Sequence, residues 1–185
     1  MRIISGLYKG KRIIFTKNNN TRPLRDVVKE NIFNIITHSE YLDDNFDKLK
    51  ILDLFAGFGS FGLECISRGA VNVKFVEKDL ETISILKKNL ESINNTLQKN
   101  TYCLDAIKFL NKEKKNFDII FLDPPYAFKK EISLINSLIV KKKLLSQNGL
   151  LIIHRENDYL EKLEKLKLID KRNYGRSKLF FYKLI

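Results

Sequence analysis

Two short stretches of this chain carry residue types at spacings that can do chemistry. In the first, Ile51-Leu52-Asp53-Leu54-Phe55-Ala56-Gly57-Phe58-Gly59-Ser60-Phe61-Gly62, apolar residues run into three glycines and then into a helical pattern. It reads as strand, tight turn and helix. Glycine lacks a Cβ, so such a turn can take positive φ and let a ligand approach the backbone, while the helix start offers unpaired N–H groups. Gly57, Gly59 and Gly62 also fit G-x-G-x-x-G, with Glu77 closing the next predicted strand. Alone, that pattern points to a dinucleotide. Asp53 argues otherwise, because a carboxylate just before the glycines repels a pyrophosphate. It suits a positive ligand, such as the amino-acid end of S-adenosylmethionine with its ammonium and nearby sulfonium. The other role open to Asp53 is to bond turn amides.

The second stretch is Asp123-Pro124-Pro125-Tyr126, directly after the apolar run Phe117 to Leu122. Ligands of open α/β sheets gather beyond the carboxyl ends of the strands, so this corner is expected near the glycine turn despite its distance in sequence. Two prolines fix φ and make the corner stiff. It would hold a carboxylate and an aromatic ring in fixed relation, which is what an exocyclic amine on a planar base requires: an acceptor for its N–H bonds and a ring against its face. Such an amine is a poor nucleophile because its lone pair is delocalised into the ring. Hydrogen bonds to Asp123 Oδ and the Pro124 carbonyl would localise that pair toward an electrophilic methyl held in line.

These residues need a sheet to position them, and the chain supplies one. After an acidic link from Tyr41 to Asp47, predicted strands at Lys50 to Phe55, Val73 to Glu77, Thr101 to Leu104, Phe117 to Leu122 and Gly149 to His154 alternate with predicted helices. The helices are read at Ser60 to Arg68, Leu80 to Ile93, Ala106 to Leu110 and Glu131 to Leu145. Leu166 to Asn173 and Lys178 to Leu184 then form a closing hairpin around Tyr174-Gly175-Arg176-Ser177. Alternation ending in a hairpin implies a mainly parallel sheet with one antiparallel member. Ahead of it, Arg2 to Phe15 reads as a β-hairpin, and Thr21-Arg22-Pro23 opens a helix whose apolar face carries Val28, Ile32, Ile35 and Ile36.

At 185 residues the chain is one ordinary domain with room for a small appendage. It has no apolar run near membrane-spanning length, and nothing at its start resembles a signal peptide, so a cytoplasmic protein is expected. The net charge of +12 suggests a polyanionic partner. Its distribution is sharper: no acid occurs from Met1 to Arg25, yet Arg2, Lys9, Lys11, Arg12, Lys17, Arg22 and Arg25 all do, which reads as a phosphate-facing segment. Cys65 and Cys103 lack metal spacing and are expected to be small buried hydrophobes. His38 and His154 have no evident partner and are expected to be structural.

With these residues in view, the chain resembles the bacterial small-subunit ribosomal RNA guanine-N2 methyltransferases, the RsmD family. The likeness spans nearly the whole length: Arg2-Ile3-Ile4-Ser5-Gly6 with Lys9-Gly10-Lys11, Thr21-Arg22-Pro23 and Asp26, Phe33-Asn34, Asp53 to Gly57, Gly62-Leu63-Glu64, Ser67 to Ala70, Phe75 to Asp79, and Asp123 to Tyr126. Phe58 departs from the small residue usual there, and Leu24 and Val27 replace more polar ones. The resemblance implies a class I methyltransferase (Rossmann-like) fold, α/β, with a seven-stranded mostly parallel sheet whose last strand is antiparallel. Residues 1–45 would be an RNA-contacting N-terminal hairpin and helix, and 46–185 the S-adenosylmethionine-dependent domain.

Carried onto matching positions, the cofactor-binding residues are Asp53, Phe55, Gly57, Gly59, Glu77 (at the ribose hydroxyls), Lys78, Asp105 (at the adenine amine) and Ala106. Asp123, Pro124 and Tyr126 are catalytic; Arg22, Pro23, Arg25, Pro125 and Tyr126 meet the substrate; no metal is expected. The implied reaction moves a methyl group to a guanine N2 of 16S ribosomal RNA within an assembled or late-precursor particle, with the enzyme a monomer. Alternatives are a methylase of DNA adenine or cytosine or of a protein glutamine and, outside that class, an NAD-dependent oxidoreductase or a non-catalytic RNA-binding protein.

Overall fold

The computed structural model describes residues 1–16, 24–38, 41–42, 45–93, 100–125, 127–128, 130–155 and 163–185. A seven-stranded sheet runs in the order β3-β2-β1-β4-β5-β7-β6, formed by β1 (Lys50–Asp53), β2 (Asn72–Glu77), β3 (Thr101–Cys103), β4 (Phe117–Leu122), β5 (Leu145–Arg155), β6 (Leu166–Tyr174) and β7 (Ser177–Leu184). Pairings from β3 through β5 are parallel, and β7 runs antiparallel to both neighbours. The expected sheet, with its last strand reversed, is therefore present.

Side chains alternate across a strand, and here each face has its own core. Along β1 and β4, Ile51, Ile119 and Phe121 join the layer of α1 (Asp26–His38), α2 (Ser60–Ser67) and α3 (Leu80–Ile93). Leu52, Ile120 and Leu122 join the layer of α4 (Ala106–Lys112) and α5 (Lys130–Lys141). This double burial explains why Phe117 to Leu122 is almost continuously apolar. At the sheet centre Phe61 stacks on Phe121 with centroids 4.2 Å apart. Gly62 lets α2 press onto β2, since a Cβ there would lie 2.1 Å from the Phe75 ring.

Three expectations are corrected. α5 ends at Lys141 rather than Leu145: Lys143 takes φ 54°, Leu144 N–H returns to the Ile139 carbonyl, and Leu145 already pairs with Phe117 in β5. A helix stop made by a lysine in the left-handed region leaves no glycine for the sequence to display. Cys103 is exposed, because β3 is a three-residue edge strand, whereas Cys65 is buried as expected. The N-terminal hairpin is reduced to a single antiparallel bridge, Arg2 with Arg12. Across it Ile3 N–H donates to the Lys11 carbonyl and Ile13 N–H to that of Met1, while other amides turn to α2: Ile4 and Ser5 N–H donate to the Glu64 carboxylate at 2.8 and 2.9 Å, and Tyr8 N–H donates to Ser67 Oγ.

That segment is a hook closed on α2, and Ile3 and Ile13 are buried in the same core as α1, α2 and α3. Gly6, at φ 79°, faces the Ser67 carbonyl so closely that any Cβ would overlap it. Glu64 is fully buried and also meets Arg68 Nε at 3.1 Å and Lys29 Nζ at 3.9 Å. Burial lowers the Lys29 pKa, while Glu64 and Asp26 pull it back up. The expected start of α1 at Thr21-Arg22-Pro23 lies outside the described residues. No helix among the described residues is long and apolar enough to cross a membrane. Removing one partner of a buried ion pair strands the other. Glu64→Ala is therefore expected to cost ~3–5 kcal/mol, read from urea unfolding, whereas a loss below about 1 kcal/mol would show that backbone contacts alone hold the hook.

Candidate active site

The carboxyl ends of β1, β2 and β4 open into one cavity of about 1010 Å³. Parallel pairing of β1 with β4 sets Asp53 opposite Phe121, so the turns that follow the two strands emerge side by side. Asp53, Phe55, Gly57, Glu77, Lys78, Asp105, Ala106, Asp123, Pro124 and Pro125 all line this cavity. Residues 70 positions apart in sequence are brought onto one rim by a single strand pairing.

The glycine bend is held from three sides. Leu54 N–H donates to the Phe121 carbonyl, Ala56 N–H to that of Val76, and Gly57 N–H to Glu77 Oε2 at 3.0 Å. Gly57 and Gly59 have φ of 54° and 90°, the left-handed region that disfavours a side chain. Gly59, expected to touch cofactor, does not line the cavity. Its missing Cβ faces Leu86 and Leu63, at 2.5 and 3.0 Å, so it serves the packing of the bend on α3.

Asp53 is 1% exposed; its Oδ2 accepts from Gly62 N–H at 3.1 Å, while Oδ1 has no partner among the described residues. Ser60 Oγ, at the start of α2, is likewise buried without one. Burial raises the Asp53 pKa to about 8; the Gly62 amide opposes this, and Asp123 and Glu77 add to it. Two orphaned polar groups on a cavity rim, one of them an acid crowded by acids, mark the place of a cationic group. The ammonium and sulfonium of S-adenosylmethionine fit that place, and Ser60 and the free amides of α2 fit its carboxylate. A pyrophosphate does not fit.

Of the remaining cofactor positions, Glu77 Oε1 accepts from Asp79 N–H at 2.9 Å, which leaves each of its oxygens a further lone pair. Asp105 caps α4 through Oδ1, accepting from Ile107 and Lys108 N–H, and keeps Oδ2. Lys78 Nζ lies 5.6 Å above the Phe128 ring, which meets Phe55 edge-on at 6.1 Å. On the substrate side, Arg25 is exposed and also has partners within the chain. Its Nη2 donates to the Tyr174 carbonyl and Ser177 Oγ, at 2.9 and 3.0 Å, and so ties α1 to the β6–β7 turn, though Arg25 still lines the rim with Arg176. Arg22, Pro23 and Tyr126 lie outside the described residues.

Two residues that the sequence reading passed over stand at the proline corner. His154, expected to be structural for want of a partner, places Nδ1 2.8 Å from Asp123 Oδ1. Arg155 Nη1 donates to the Pro125 carbonyl at 3.1 Å. The usable signal was that the predicted strand Gly149 to His154 ends at His154, with Arg155 next in the chain.

A family model described as Conserved hypothetical protein 95 matches residues 1–183. Ribosomal RNA small subunit methyltransferase D of Haemophilus influenzae is 35% identical over 162 residues, covering 85% of this chain and 80% of that one. The chain belongs to this family. Its membership in the RsmD family of class I S-adenosylmethionine-dependent methyltransferases agrees with the fit just described. The Bacillus subtilis protein YlbH is 36% identical over 188 residues, covering 99% of this chain and 98% of that one. Among solved structures, the Haemophilus influenzae protein HI0767 has a TM-score of 0.79 at 29% identity, covering all of this chain and 98% of that one.

The raised Asp53 pKa has a measurable sign. Below about 8 the free protein holds this carboxyl protonated, and an arriving cation favours the ionised form, so binding releases a proton. Affinity for S-adenosylmethionine is expected to rise by up to about tenfold per pH unit below that value and to level off above it. Calorimetry near neutral pH, in buffers of different ionisation enthalpy, is expected to show the released proton in the wild type and not in Asp53→Asn.

Proposed function

We propose that this RsmD-family chain transfers a methyl group from S-adenosylmethionine to the exocyclic N2 of a guanine in small-subunit ribosomal RNA, acting on an assembled or late-precursor particle. The observation that carries the reading is the shared cavity of the Asp53–Gly57 bend and the Asp123–Pro125 corner. Relatives named Ribosomal RNA small subunit methyltransferase D support the RNA class. An acid, rather than an amide, at the head of the proline corner supports guanine N2.

S-adenosylmethionine supplies an electrophilic methyl carbon on a positive sulfur. Asp53, with Ser60 and the α2 amides, orients the amino-acid end; Glu77 accepts from the ribose hydroxyls, and Asp105 Oδ2 from the adenine amine. Asp123 and the Pro124 carbonyl would accept the two N–H bonds of the guanine amine and so turn its lone pair out of the ring. As nitrogen bonded the methyl group, sulfur would keep the electron pair of the broken bond and one N–H proton would be lost to Asp123 or to solvent. Tyr126 stacks on the base. Arg22, Pro23, Arg25 and Pro125 face the RNA around the base, and residues 1–45 are the RNA-contacting extension of the methyltransferase domain in 46–185. The monomer is taken as the working unit, because Asp53, Glu77, Asp105, Asp123 and Pro124 of a single chain line one cavity.

Methyl transfer to small subunits from a strain lacking the enzyme, compared with naked 16S RNA and DNA, tests the substrate, and mass-spectrometric mapping tests the atom. Particles are expected to accept methyl at a guanine N2; a modified adenine, cytosine or protein amide would overturn the assignment. Asp123→Ala is expected to lower kcat by roughly 10²-fold or more with S-adenosylmethionine affinity retained.

The hook presents Lys9 and Arg12 to solvent. Each alanine substitution there is expected to reduce the slope of log affinity for RNA against log salt by about one. Filter binding across a salt series measures this, and an unchanged slope would remove the hook from the RNA interface.

A further inference from the structure

His154 is the last residue but one of β5, the parallel neighbour of β4. Because Leu122 pairs with Ile153, the next residues, Asp123 and His154, emerge together at the sheet edge that bears the cavity. Their side chains differ in exposure, 7% for His154 and 22% for Asp123, so the imidazole stands behind the carboxylate as seen from solvent. A carboxylate only accepts hydrogen bonds, so at 2.8 Å from Oδ1 the imidazole Nδ1 is the donor and carries the proton. Nε2 is buried with no partner among the described residues. A buried nitrogen without a partner is unfavourable, which is hard to reconcile with a purely structural histidine at a site leucine would fill. Beside it, Arg155 grips the Pro125 carbonyl, so two consecutive residues of β5 hold the proline corner from the rear.

We propose that His154 is the positioning residue of methyl transfer: by donating to Asp123 Oδ1 it fixes the carboxylate in one orientation and leaves Oδ2 to accept the amine N–H. The inference rests on the assignment of Asp123 to the guanine amine. The Nδ1 contact is the hydrogen bond that holds the Asp123 carboxylate among the described residues, and without it the side chain is free to turn from the reacting position. A donor already in place means that no reorganisation is needed when the amine arrives.

The test compares His154→Asn, which keeps an N–H close to the place of Nδ1, with His154→Gln, which moves it to that of Nε2, and with His154→Leu, which abolishes it. Turnover on unmethylated small subunits gives kcat and KM, and calorimetry gives S-adenosylmethionine affinity. The Gln and Leu variants are expected to lose roughly ten- to a hundredfold in kcat, the effect of a hydrogen bond to a charged group, with KM and cofactor affinity within about threefold. The Asn variant is expected to keep most of the turnover. Full kcat in the Gln variant, an Asn variant no better than Gln, or a fall in cofactor affinity parallel to that in kcat would each overturn the role.

A readout without turnover stands beside these and decides the matter if the Leu variant does not fold. Imidazole ¹⁵N NMR of the wild type is expected to show the proton on Nδ1 and to lose that signature in Asp123→Ala; a proton found on Nε2 overturns the proposal. An Asp123→Ala enzyme with wild-type turnover would instead remove the role of Asp123 itself, whatever His154 does.

Discussion

A carboxylate buried among other acids is the constraint to which the rest of this structure answers. Asp53, which lines the cavity, sits at the end of a central strand with one oxygen bonded to Gly62 N–H and the other buried without a partner among the described residues. Left ionised there it is costly, and the protein's response is to hold it protonated until the pH approaches 8. A cation arriving in the cavity relieves that cost. The free protein is thus poised for a positive ligand by an interaction it withholds from itself, and Glu77 and Asp123, the acids that raise the Asp53 pKa, are placed to act on other parts of the same assembly.

The bend beside Asp53 is held by side chains from distant parts of the chain. Glu77 takes the Gly57 amide, and Asn89 donates to the carbonyls of both Phe58 and Ile14 while accepting from Ile14 N–H. Through Asn89 the N-terminal hook and the glycine bend share one buried amide group. Glu64 fastens the other end of the hook to α2. Residues 1–16 of the basic segment are therefore fastened to the domain, with Lys9 and Arg12 exposed.

The proline corner follows the same logic beside the glycine bend, on the same rim. Its prolines restrict the backbone, Arg155 holds a carbonyl, and His154 holds the carboxylate, so Asp123 has little freedom left to lose. Both turns are held in place because the strands beneath them, β1 and β4, are paired neighbours at the centre of a sheet buried on both faces.

Local pattern decided a great deal by itself. Strand and helix order, the reversed last strand, the bend at Gly57 and the corner at Asp123 all follow from hydrophobic period, glycine and proline, which act over a few residues wherever they occur. Hydrogen-bond partners distant in sequence were decided only by tertiary structure. The Asp53 carboxyl becomes unusual only when α2 covers it and two other acids approach; Gly59 turns toward Leu86 rather than the cavity because α3 packs there; the hook gives the amides of Ile4 and Ser5 to Glu64, a side chain about 60 residues away. His154 looked idle for the same reason, since its partner stands 31 residues earlier and meets it only through strand pairing. Periodicity is a property of neighbours along the chain, whereas the charge, burial and bonding of a side chain belong to neighbours in space.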